Sequence, residues 1–277
     1  MAQKAAIKQR IKSVGTTKKI TRAMELMASV KLQKQTNLLK KNKEYFETLY
    51  NTMSKILSND ASIENDYLTI KDNPKKLFIV FCSDVGLCGG YNINLIKYFN
   101  EIVSKEDEVI VIGTSKYKWF KENYNVINDV ISSDDTNYNE LKNIVDHEVE
   151  RYKNNEIGSI EVIYTKFVNN VTFNPDCIKV LPCGKEEFKK ENYKELLFEP
   201  NVNDILDNLI PMYAENSLYS FYLEAKTSEQ GARRFAMQNA TDNADELTEE
   251  LLLKYNQARQ AAITQEINEI VGGADAL

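Results

Sequence analysis

Two long stretches of the chain, one at each end, repeat apolar residues at helical spacing and contain almost no helix breakers. Residues 1–73 hold no proline and one glycine, Gly15, and residues 212–271 hold no proline and one glycine, Gly231. Spacing of three or four residues, or multiples of it, relates Ile7, Ile11, Val14, Thr21, Met24, Ala28, Leu32, Leu39, Phe46, Leu49, Met53 and Ile56. The same spacing relates Leu218, Phe221, Ala225, Ala232, Ala236, Ala240, Ala244, Leu247, Leu251, Tyr255, Ala258 and Ala262. This pattern predicts one long helix over residues 3–57 and another over residues 212–271.

The second helix has many alanines along its apolar seam, which lets two helix backbones approach closely. An antiparallel coiled coil between the two ends of the chain is therefore predicted. At about 1.5 Å per residue the helices would be roughly 80 and 90 Å long, whereas a domain of the roughly 125 residues between them is only about 30 Å across. Most of the helix pair would then extend beyond its own globular domain, surrounded either by solvent or by another protein.

Between the helices, short segments rich in β-branched residues alternate with helical patterns. The predicted strands are Leu77–Ser83, Glu108–Gly113, Ser159–Lys166 and Cys177–Leu181. The predicted helices are Asn92–Val103, Ser115–Asn123 and Thr136–Asn155. Such alternation is typical of a mainly parallel, open sheet. The predicted fold is α/β: a central Rossmann-like open α/β domain over residues 75–200, with a long antiparallel coiled coil made by an N-terminal helix over 1–57 and a C-terminal helix over 205–277.

Charge is distributed unevenly along the chain, whose formal net charge is −6. The first 43 residues carry twelve lysines and arginines against one acidic residue, Glu25, a net charge of +11. A basic arm on an acidic protein favours an anionic partner, which could be a nucleic acid, a membrane surface or an acidic protein; a solvated helix face is the plainer alternative. No aromatic residue precedes Tyr45, so stacking platforms for single strands are missing. A nucleic-acid-binding coiled coil stays an alternative by charge alone.

The apolar runs and the cysteines bear on where the protein works. No run of about 18 apolar residues occurs, which argues against an integral membrane protein. The four cysteines lie in apolar surroundings, as in a reduced, cytosolic setting. Cys177 and Cys183 flank a predicted strand that would separate their Cα atoms by about 20 Å, too far for a disulfide. The basic N-terminus lacks the apolar block of a secretory signal, so we expect mature sequence in a cytoplasmic protein.

Residues with candidate catalytic chemistry are sparse. The glycine-rich turn between a strand and a helix, residues 86–90, lacks the Gly-Lys-Ser/Thr of a P-loop and the glycine spacing of a dinucleotide site, so it predicts a tight turn. A stand-alone nucleotide enzyme that uses this turn stays an alternative. His147, the only histidine, cannot build a metal site alone, and no serine or cysteine motif accompanies it. The residues therefore predict a protein that is not an enzyme by itself, with no cofactor and no metal site.

Four segments of the chain carry a recognisable pattern. They read IKSVGTTKKITRAMELMASVKL over Ile11–Leu32, SDVGLCGGYNINL over Ser83–Leu95, AMQNATDNADEL over Ala236–Leu247 and YNQARQAAITQEINEIVGGADAL over Tyr255–Leu277. In order and separation they resemble the gamma subunits of F-type (rotary) ATP synthases. The resemblance covers essentially the whole chain, is highly specific at the two ends and is only topological between about residues 100 and 200.

This resemblance implies a central-stalk rotor subunit. The terminal helices would form a shaft inside a hexameric ring of alternating alpha and beta subunits, with ATP made or hydrolysed on beta and not on this chain. The α/β domain would lie below the ring, against the epsilon subunit and the membrane rotor ring, so that rotation couples ATP synthesis or hydrolysis to torque and proton transport. The chain would be peripheral, in a complex at the cytoplasmic face of the membrane, and would not bind nucleic acid.

The resemblance also implies roles for residues on the two helices. Arg259 and Gln260 match a pair that hydrogen-bonds a beta-subunit loop inside the ring. Thr264 and Glu266 lie one turn further on in the same motif. On the first helix, the residues that would face acidic lever loops of beta are Arg10, Lys18 and Met24.

The glycine-rich turn departs from the family at one position. The residues that match the family's turn, and that the resemblance places toward the rotor ring and epsilon, are Gly86, Leu87, Cys88 and Gly89. The family usually has a basic residue between the aspartate and the first glycine of this turn, where this chain has Val85. This departure motivates an alternative function, that of a gamma-like paralogue in a rotary-type ATPase that drives another process.

Overall fold

The computed structural model describes residues 2–59, 63, 65–169, 172–184, 198–199 and 201–274. Within the terminal helices, the side chains it leaves out are those at positions 2, 3, 59, 266, 269, 270 and 272–274. The chain forms two compact units, the first made of residues 1–29 and 233–277 and the second of residues 30–232. The two long terminal helices contribute residues to both units.

The order of elements along the described residues alternates helices and strands between two long terminal helices. They are α1 (Ala2–Asn59), β1 (Lys76–Phe81), α2 (Tyr91–Ile102), β2 (Glu108–Ile112), α3 (Tyr117–Asn123), β3 (Asn125–Val126), α4 (Tyr138–Lys153), β4 (Ser159–Phe167), β5 (Phe173–Leu181) and α5 (Val202–Ala274). Helix α1 has 58 residues and α5 has 73. The long helices predicted at the two ends of the chain are therefore confirmed.

Helix α5 begins earlier than the proline-free stretch predicts. It starts at Val202, and the side chain of the preceding Asn201 caps its first turn by accepting a hydrogen bond from the backbone N–H of Asp204 at 2.9 Å. Pro211 therefore lies inside the helix, although a proline there removes a backbone donor and crowds the preceding turn. Packing of the neighbouring turns offsets this cost. The fully buried side chains around the proline are Leu206, Ile210 and Ala214.

The sheet has five strands in the order β3-β2-β1-β4-β5. Strand β1 lies at the centre and pairs in parallel with β2 and β4; β2 pairs in parallel with β3, and β4 pairs with β5 in antiparallel orientation. Ile79 of β1 is in register with Ile110 of β2 on one side and with Val162 of β4 on the other. The mainly parallel sheet and its four predicted strands are confirmed. The sequence patterns missed the two-residue β3 and the first four residues of β5.

The two faces of the sheet hold separate apolar cores, because successive side chains of a strand point to opposite faces. On one face Leu77, Ile79 and Phe81 pack with α4 and with the parts of α1 and α5 that belong to the second unit. On the other face the core residues are Phe78, Val80 and Cys82 of β1 with Leu95, Phe99 and Phe120 of α2 and α3. The second unit is thus a three-layer α/β domain in which α1 and α5 form part of one outer layer.

Within the second unit, α1 and α5 run antiparallel. The Asn42 side chain donates a hydrogen bond to Ser220 Oγ at 2.6 Å and accepts one from Asn216 at 3.2 Å. The rings of Phe46 and Tyr213 stack at 5.6 Å between centroids. Increasing residue numbers on α1 therefore meet decreasing numbers on α5, as an antiparallel pair requires.

Candidate functional site

In the first unit, α1 and α5 pack against each other as the predicted coiled coil. Lys18 of α1 forms an ion pair with Asp245 of α5. Farther along α1, the hydroxyls of Thr21 and Thr241 lie 2.8 Å apart, so the helices are antiparallel here too. The predicted seam positions are all buried or half-buried: Ile7, Ile11, Val14, Thr21, Met24, Ala28, Ala236, Ala240, Ala244, Leu247, Leu251, Tyr255, Ala258 and Ala262.

The outward surfaces of this helix pair expose large apolar side chains. On α1 they are Ile20, Leu26 and Met27, and on α5 they are Leu252, Leu253, Ile263, Ile267 and Val271. Helix α1 also carries exposed basic residues, which are Lys8, Arg10, Lys12, Lys19 and Arg22. Apolar side chains exposed along a charged helix pair are typical of a surface that binds another protein.

The candidate residues near the end of α5 lie on this outward surface. Arg259, Gln260 and Thr264 are all exposed. The Thr264 hydroxyl donates a hydrogen bond to the Gln260 backbone carbonyl at 3.0 Å, which fixes one turn against the next. Within the described residues, neither the Arg259 guanidinium nor the Gln260 amide pairs with another side chain. Glu266 belongs to the helix, and its side chain lies outside the described residues.

The three candidate residues on α1 differ in how accessible they are. Arg10 is exposed, whereas Met24 lies half-buried along the seam. Lys18 is also half-buried, and its ammonium group is paired with Asp245 of α5. Arg10 can therefore reach a partner directly, while Lys18 and Met24 contribute first to the contact between the two helices.

The glycine-rich turn has a left-handed backbone at two positions. Leu87 has φ of 61° and Gly89 has φ of 58°, and this conformation is costly for a residue with a branched side chain such as leucine. The turn directs Cys88 inward, where it is 2% exposed. It leaves Val85 and Leu87 with 58% and 57% of their surface exposed. The turn thus exposes two apolar side chains, those of Val85 and Leu87, to solvent.

Hydrogen bonds and packing fix the base of the turn. Ser83 donates its backbone N–H to Asn92 Oδ1 at 3.2 Å, and the Asn92 amide donates back to Ser83 Oγ at 2.7 Å. The Tyr91 hydroxyl donates to the backbone carbonyl of Ala225 of α5 at 3.2 Å. A small apolar cluster joins the turn to α5 and β5 through Cys88, Tyr91, Ala232 and Phe173. The turn is therefore anchored on α5.

Asp84 lies between β1 and the glycine-rich turn, and its side chain contacts two other loops. Its carboxylate accepts hydrogen bonds from the backbone N–H groups of Thr114, Ser133 and Asp134 at 2.8, 3.0 and 2.6 Å, and from the Ser132 hydroxyl at 3.1 Å. Partial burial works in the opposite direction, but these donors hold the pKa of Asp84 below its usual value. The chain's own carboxylate thus occupies these four donors, so they are not free to bind an anionic ligand.

Comparison with known proteins identifies the family. A family model described as ATP synthase matches residues 3–277. The ATP synthase gamma chain of Alkaliphilus metalliredigens is 40% identical over 281 residues, covering 98% of this chain and 97% of that relative. The sodium-ion-specific ATP synthase gamma chain of Acetobacterium woodii is 37% identical over 294 residues, with the same coverage of both chains. The chain belongs to the ATP synthase gamma-chain family.

Solved structures agree with this family at the level of the fold. A chain of the Euglena gracilis mitochondrial ATP synthase rotor has a TM-score of 0.69 at 14% identity, covering 95% of this chain and 99% of that one. A chain of the Tetrahymena thermophila mitochondrial ATP synthase central stalk and c-ring has a TM-score of 0.63 at 21% identity, covering 80% and 99%. This gamma-family chain therefore has the fold of a central stalk.

The remaining reactive side chains that the structure describes lie apart from one another. His147 lies on α4 with its imidazole Nδ1 2.8 Å from Glu148 and most of its ring exposed. Burial, followed by the charge of Glu161, raises the pKa of Cys177 to about 12. Among the residues that the structure describes, no group of histidine, cysteine, aspartate and glutamate side chains could hold a metal ion. A gamma chain is not itself catalytic, and the catalytic sites of ATP synthase lie on the beta subunits.

Two polar contacts of the domain, those of Asp84 and of the buried Lys226, were not predictable from the sequence patterns. Asp84 lies three residues after the end of β1, and no local pattern relates it to the distant backbone N–H groups that donate to its carboxylate. Lys226 lies in the most buried part of α5, where no periodic pattern distinguishes a paired lysine from an exposed one.

In the described part of the chain, no helix has the length and apolar character of a membrane span.

Proposed function

We propose that this gamma-family chain turns as a shaft inside a hexamer of alpha and beta subunits, with its α/β domain in contact with epsilon and a membrane rotor ring. The observation that carries the proposal is the helix pair of the first unit, whose exposed apolar and basic side chains are not covered by any described residue of the same chain. Alpha and beta subunits that surround the helices would cover the apolar side chains and supply acidic groups for the basic ones.

The mechanism follows from a mismatch of symmetry. A helix pair with a basic α1 and an acidic α5 has no rotational symmetry, whereas a ring of alternating subunits repeats every third of a turn. At any angle the shaft contacts each beta subunit differently and favours a different conformation in each. Coupling between binding sites is reciprocal, so turning the shaft changes nucleotide affinities, and nucleotide occupancy turns the shaft.

We further propose that the residues carried over from the family resemblance bind beta subunits. Arg259 and Gln260 would hydrogen-bond a beta loop, and their exposed, unpaired side chains among the described residues support this role. Thr264 and Glu266 would extend the same contact by one turn. Arg10 would face acidic lever loops of beta directly. For Lys18 and Met24, which lie at the seam, we propose contact along the edge of the groove between the helices.

The glycine-rich turn has two candidate partners. From the resemblance we infer that Gly86, Leu87, Cys88 and Gly89 bind toward the rotor ring and epsilon, and the exposed side chains of Val85 and Leu87 support a protein partner. Beta, the partner proposed for Arg259 and Gln260, is the second candidate. A photo-reactive amino acid at position 87 in the assembled complex distinguishes the two. Cross-links to epsilon or the ring support the first inference, and cross-links to beta replace it.

Co-purification of the tagged chain tests the proposed assembly. We expect alpha, beta and epsilon subunits together with a membrane rotor ring. Alpha and beta without any rotor ring or proton-channel subunit would favour the alternative raised by Val85, a gamma-like paralogue that drives another process. Salt-sensitive binding of DNA or RNA in place of partner subunits would favour a nucleic-acid-binding coiled coil and overturn the proposal.

The complex to which a gamma chain belongs is membrane-associated. We propose that this chain lies at the cytoplasmic face of the membrane as a peripheral subunit. Fractionation of cells tests this location. The chain should sediment with membranes and be released, with alpha and beta, by a wash at low ionic strength. Retention after that wash, or recovery outside the cytoplasmic side of the membrane, would contradict the proposed location.

A further inference from the structure

A buried lysine on α5 is not explained by the contacts proposed for the hexamer. The side chain of Lys226 is only 4% exposed. It forms an ion pair with Asp134 and a second one with Glu229 at 2.9 Å. Burial alone would lower the pKa of Lys226, but these carboxylates raise it above its usual value. Lysine is almost never buried without such partners, and an apolar side chain would fill the same space at less cost in desolvation.

Asp134 connects this lysine to the other long helix. It lies in the loop between β3 and α4, and its second carboxylate oxygen is 3.5 Å from the Lys31 ammonium group on α1. One carboxylate on the loop therefore pairs with a cation from each of the long helices. Lys31, Asp134, Lys226 and Glu229 all belong to the second unit.

The loop that carries Asp134 is fixed in turn to the sheet and to α5. The backbone N–H groups of Ser133 and Asp134 donate to the carboxylate of Asp84, which follows β1. The Tyr222 hydroxyl, one turn before Lys226 on α5, lies 3.0 Å from the backbone carbonyls of both Ser133 and Thr136. Directional contacts thus run without interruption from the end of β1, through the loop, to both long helices.

The polar contacts differ in kind from the apolar packing beside them. Leu218 and Leu223 of α5 pack into the core on the sheet. Apolar contact is not directional, but the close packing of these side chains resists both separation and sliding of the helices on the sheet. Hydrogen bonds weaken steeply when their angles change. The polar contacts therefore add a directional resistance to rotation of the helices against the sheet.

We propose that Lys226 and Asp134 form a joint that transmits torque between the two long helices and the sheet, with Lys226 acting as a positioning residue for rotary coupling. The joint rests on the rotor function of the chain, but it concerns a different property. Contacts with beta would generate torque on the helices, and the joint would add to the stiffness with which the α/β domain follows them.

Single-molecule rotation of the assembled alpha–beta–gamma complex tests the joint, with a probe fixed to the exposed surface of α2. We expect Lys226→Met to broaden the angular distribution of the probe during each pause, which is a loss of torsional stiffness. The rate of ATP hydrolysis should stay at the wild-type value, because the surface proposed to bind beta is unchanged. Lys226→Arg keeps the charge and should restore the narrow distribution.

The matched control is Lys118→Met, which removes an exposed lysine paired with Glu122 within α3. It should leave the angular distribution unchanged. If Lys226→Met does not assemble, Asp134→Asn tests the same joint, because the Asp134 side chain is 41% exposed and tolerates the change. Assembled variants of either kind with the wild-type angular width would overturn the joint. A wild-type complex that hydrolyses ATP without turning the probe would instead contradict the rotor function.

Discussion

The carboxylate of Asp84 shows how a single residue organises several loops of this chain without facing a partner. It accepts hydrogen bonds from three backbone N–H groups that lie far along the sequence, after β2 and before α4. Of these donors, only the N–H group of Ser133 belongs to a buried residue. The residue therefore holds the base of the glycine-rich turn and the loop of Asp134 in one arrangement.

Asp84→Asn should loosen the loops that follow β1 and β2 at this end of the sheet. The amide of asparagine keeps one acceptor oxygen but presents an N–H group to the other donors. The free energy of local opening should therefore fall by about 1–3 kcal/mol. Hydrogen exchange of the amides of Thr114, Ser133 and Asp134 in the assembled complex measures the change. Asp72→Asn, at an exposed aspartate before β1, is the matched control and should alter exchange little.

The lowered pKa of Asp84 sets the pH range in which this contact holds. The stability that this contact contributes is fully present when the pH is above the usual carboxyl pKa of about 3.9. It is lost only as the pH falls toward the lower pKa that Asp84 has in the folded chain. Protection of the same amides, corrected for intrinsic exchange, should therefore stay constant between about pH 5.5 and 8. A loss of protection on going from neutral pH to about 5.5 would contradict this account of Asp84.

Arg259 and Gln260 carry the residue-scale prediction for the hexamer contact. The double variant Arg259→Ala and Gln260→Ala should weaken coupling between ATP hydrolysis and rotation without unfolding the chain, because both side chains are exposed. Torque and hydrolysis rate of the assembled complex are measured against a control with Asn256→Ala and Gln257→Ala, which removes two exposed polar side chains of the same helix. Unchanged torque and hydrolysis in the first variant would refute the assignment.

Arg259 and Gln260 could be identified from the sequence only through the family resemblance. The contacts of Asp84 and Lys226 could not be identified from the sequence at all. Asp84 meets Asp134 across 50 positions, and Lys226 meets Asp134 across 92. Local patterns carry information over one or two turns of helix, so they report that a lysine lies on a helix but not which loop folds back to pair with it. Only the packed domain brings these groups together.

At the scale of elements, backbone geometry separates two glycines that look alike in the sequence. Gly15 lies inside α1, and a Cβ added there would meet nothing within 4 Å. Gly113 follows β2 with φ of 125°, and a Cβ there would lie 2.2 Å from the backbone carbonyl oxygen of Cys82. The first position tolerates a side chain and the second does not.

Gly15→Ala and Gly113→Ala should therefore change stability in opposite directions. Alanine at position 15 should stabilise the chain by about 0.5–1 kcal/mol through its higher helix propensity. Alanine at position 113 should destabilise it by about 3 kcal/mol or more, because the backbone must shift. Urea unfolding of the dilute chain, followed by helical circular dichroism, measures both. A stabilising effect at position 113 would contradict the backbone geometry.

Most elements were predictable because their patterns are long or strongly apolar. The seams of α1 and α5 and the buried strands β1, β2 and β4 follow directly from periodicity and β-branched content. The start of α5 was not predictable, because Pro211 is an unfavourable residue inside a helix and only the burial of its neighbours stabilises it there. Strand β3 has two residues, too few for any pattern. The first part of β5 is only half-buried, so its alternation is weak.

At the scale of the whole molecule, the exposed apolar side chains on α1 and α5 predict how the chain behaves without partners. We expect the isolated chain to self-associate as its concentration rises, and added alpha and beta subunits to keep it soluble. Light scattering at increasing concentration, with and without the partner subunits, measures this. Bovine serum albumin in place of alpha and beta is the control. If the chain alone stays monomeric at high concentration, the result would contradict the proposal that this surface binds partner subunits.

The cysteines have a practical consequence for experiments on the whole complex. Cys82, Cys88 and Cys183 are buried, and burial raises the pKa of Cys82 to about 12. Cys177 is half-buried and has a pKa raised to a similar value. Thiols of this kind are poor nucleophiles at neutral pH. A maleimide fluorophore should therefore attach selectively to one new surface cysteine while all four native ones remain in place, so that each dye reports from a single known site.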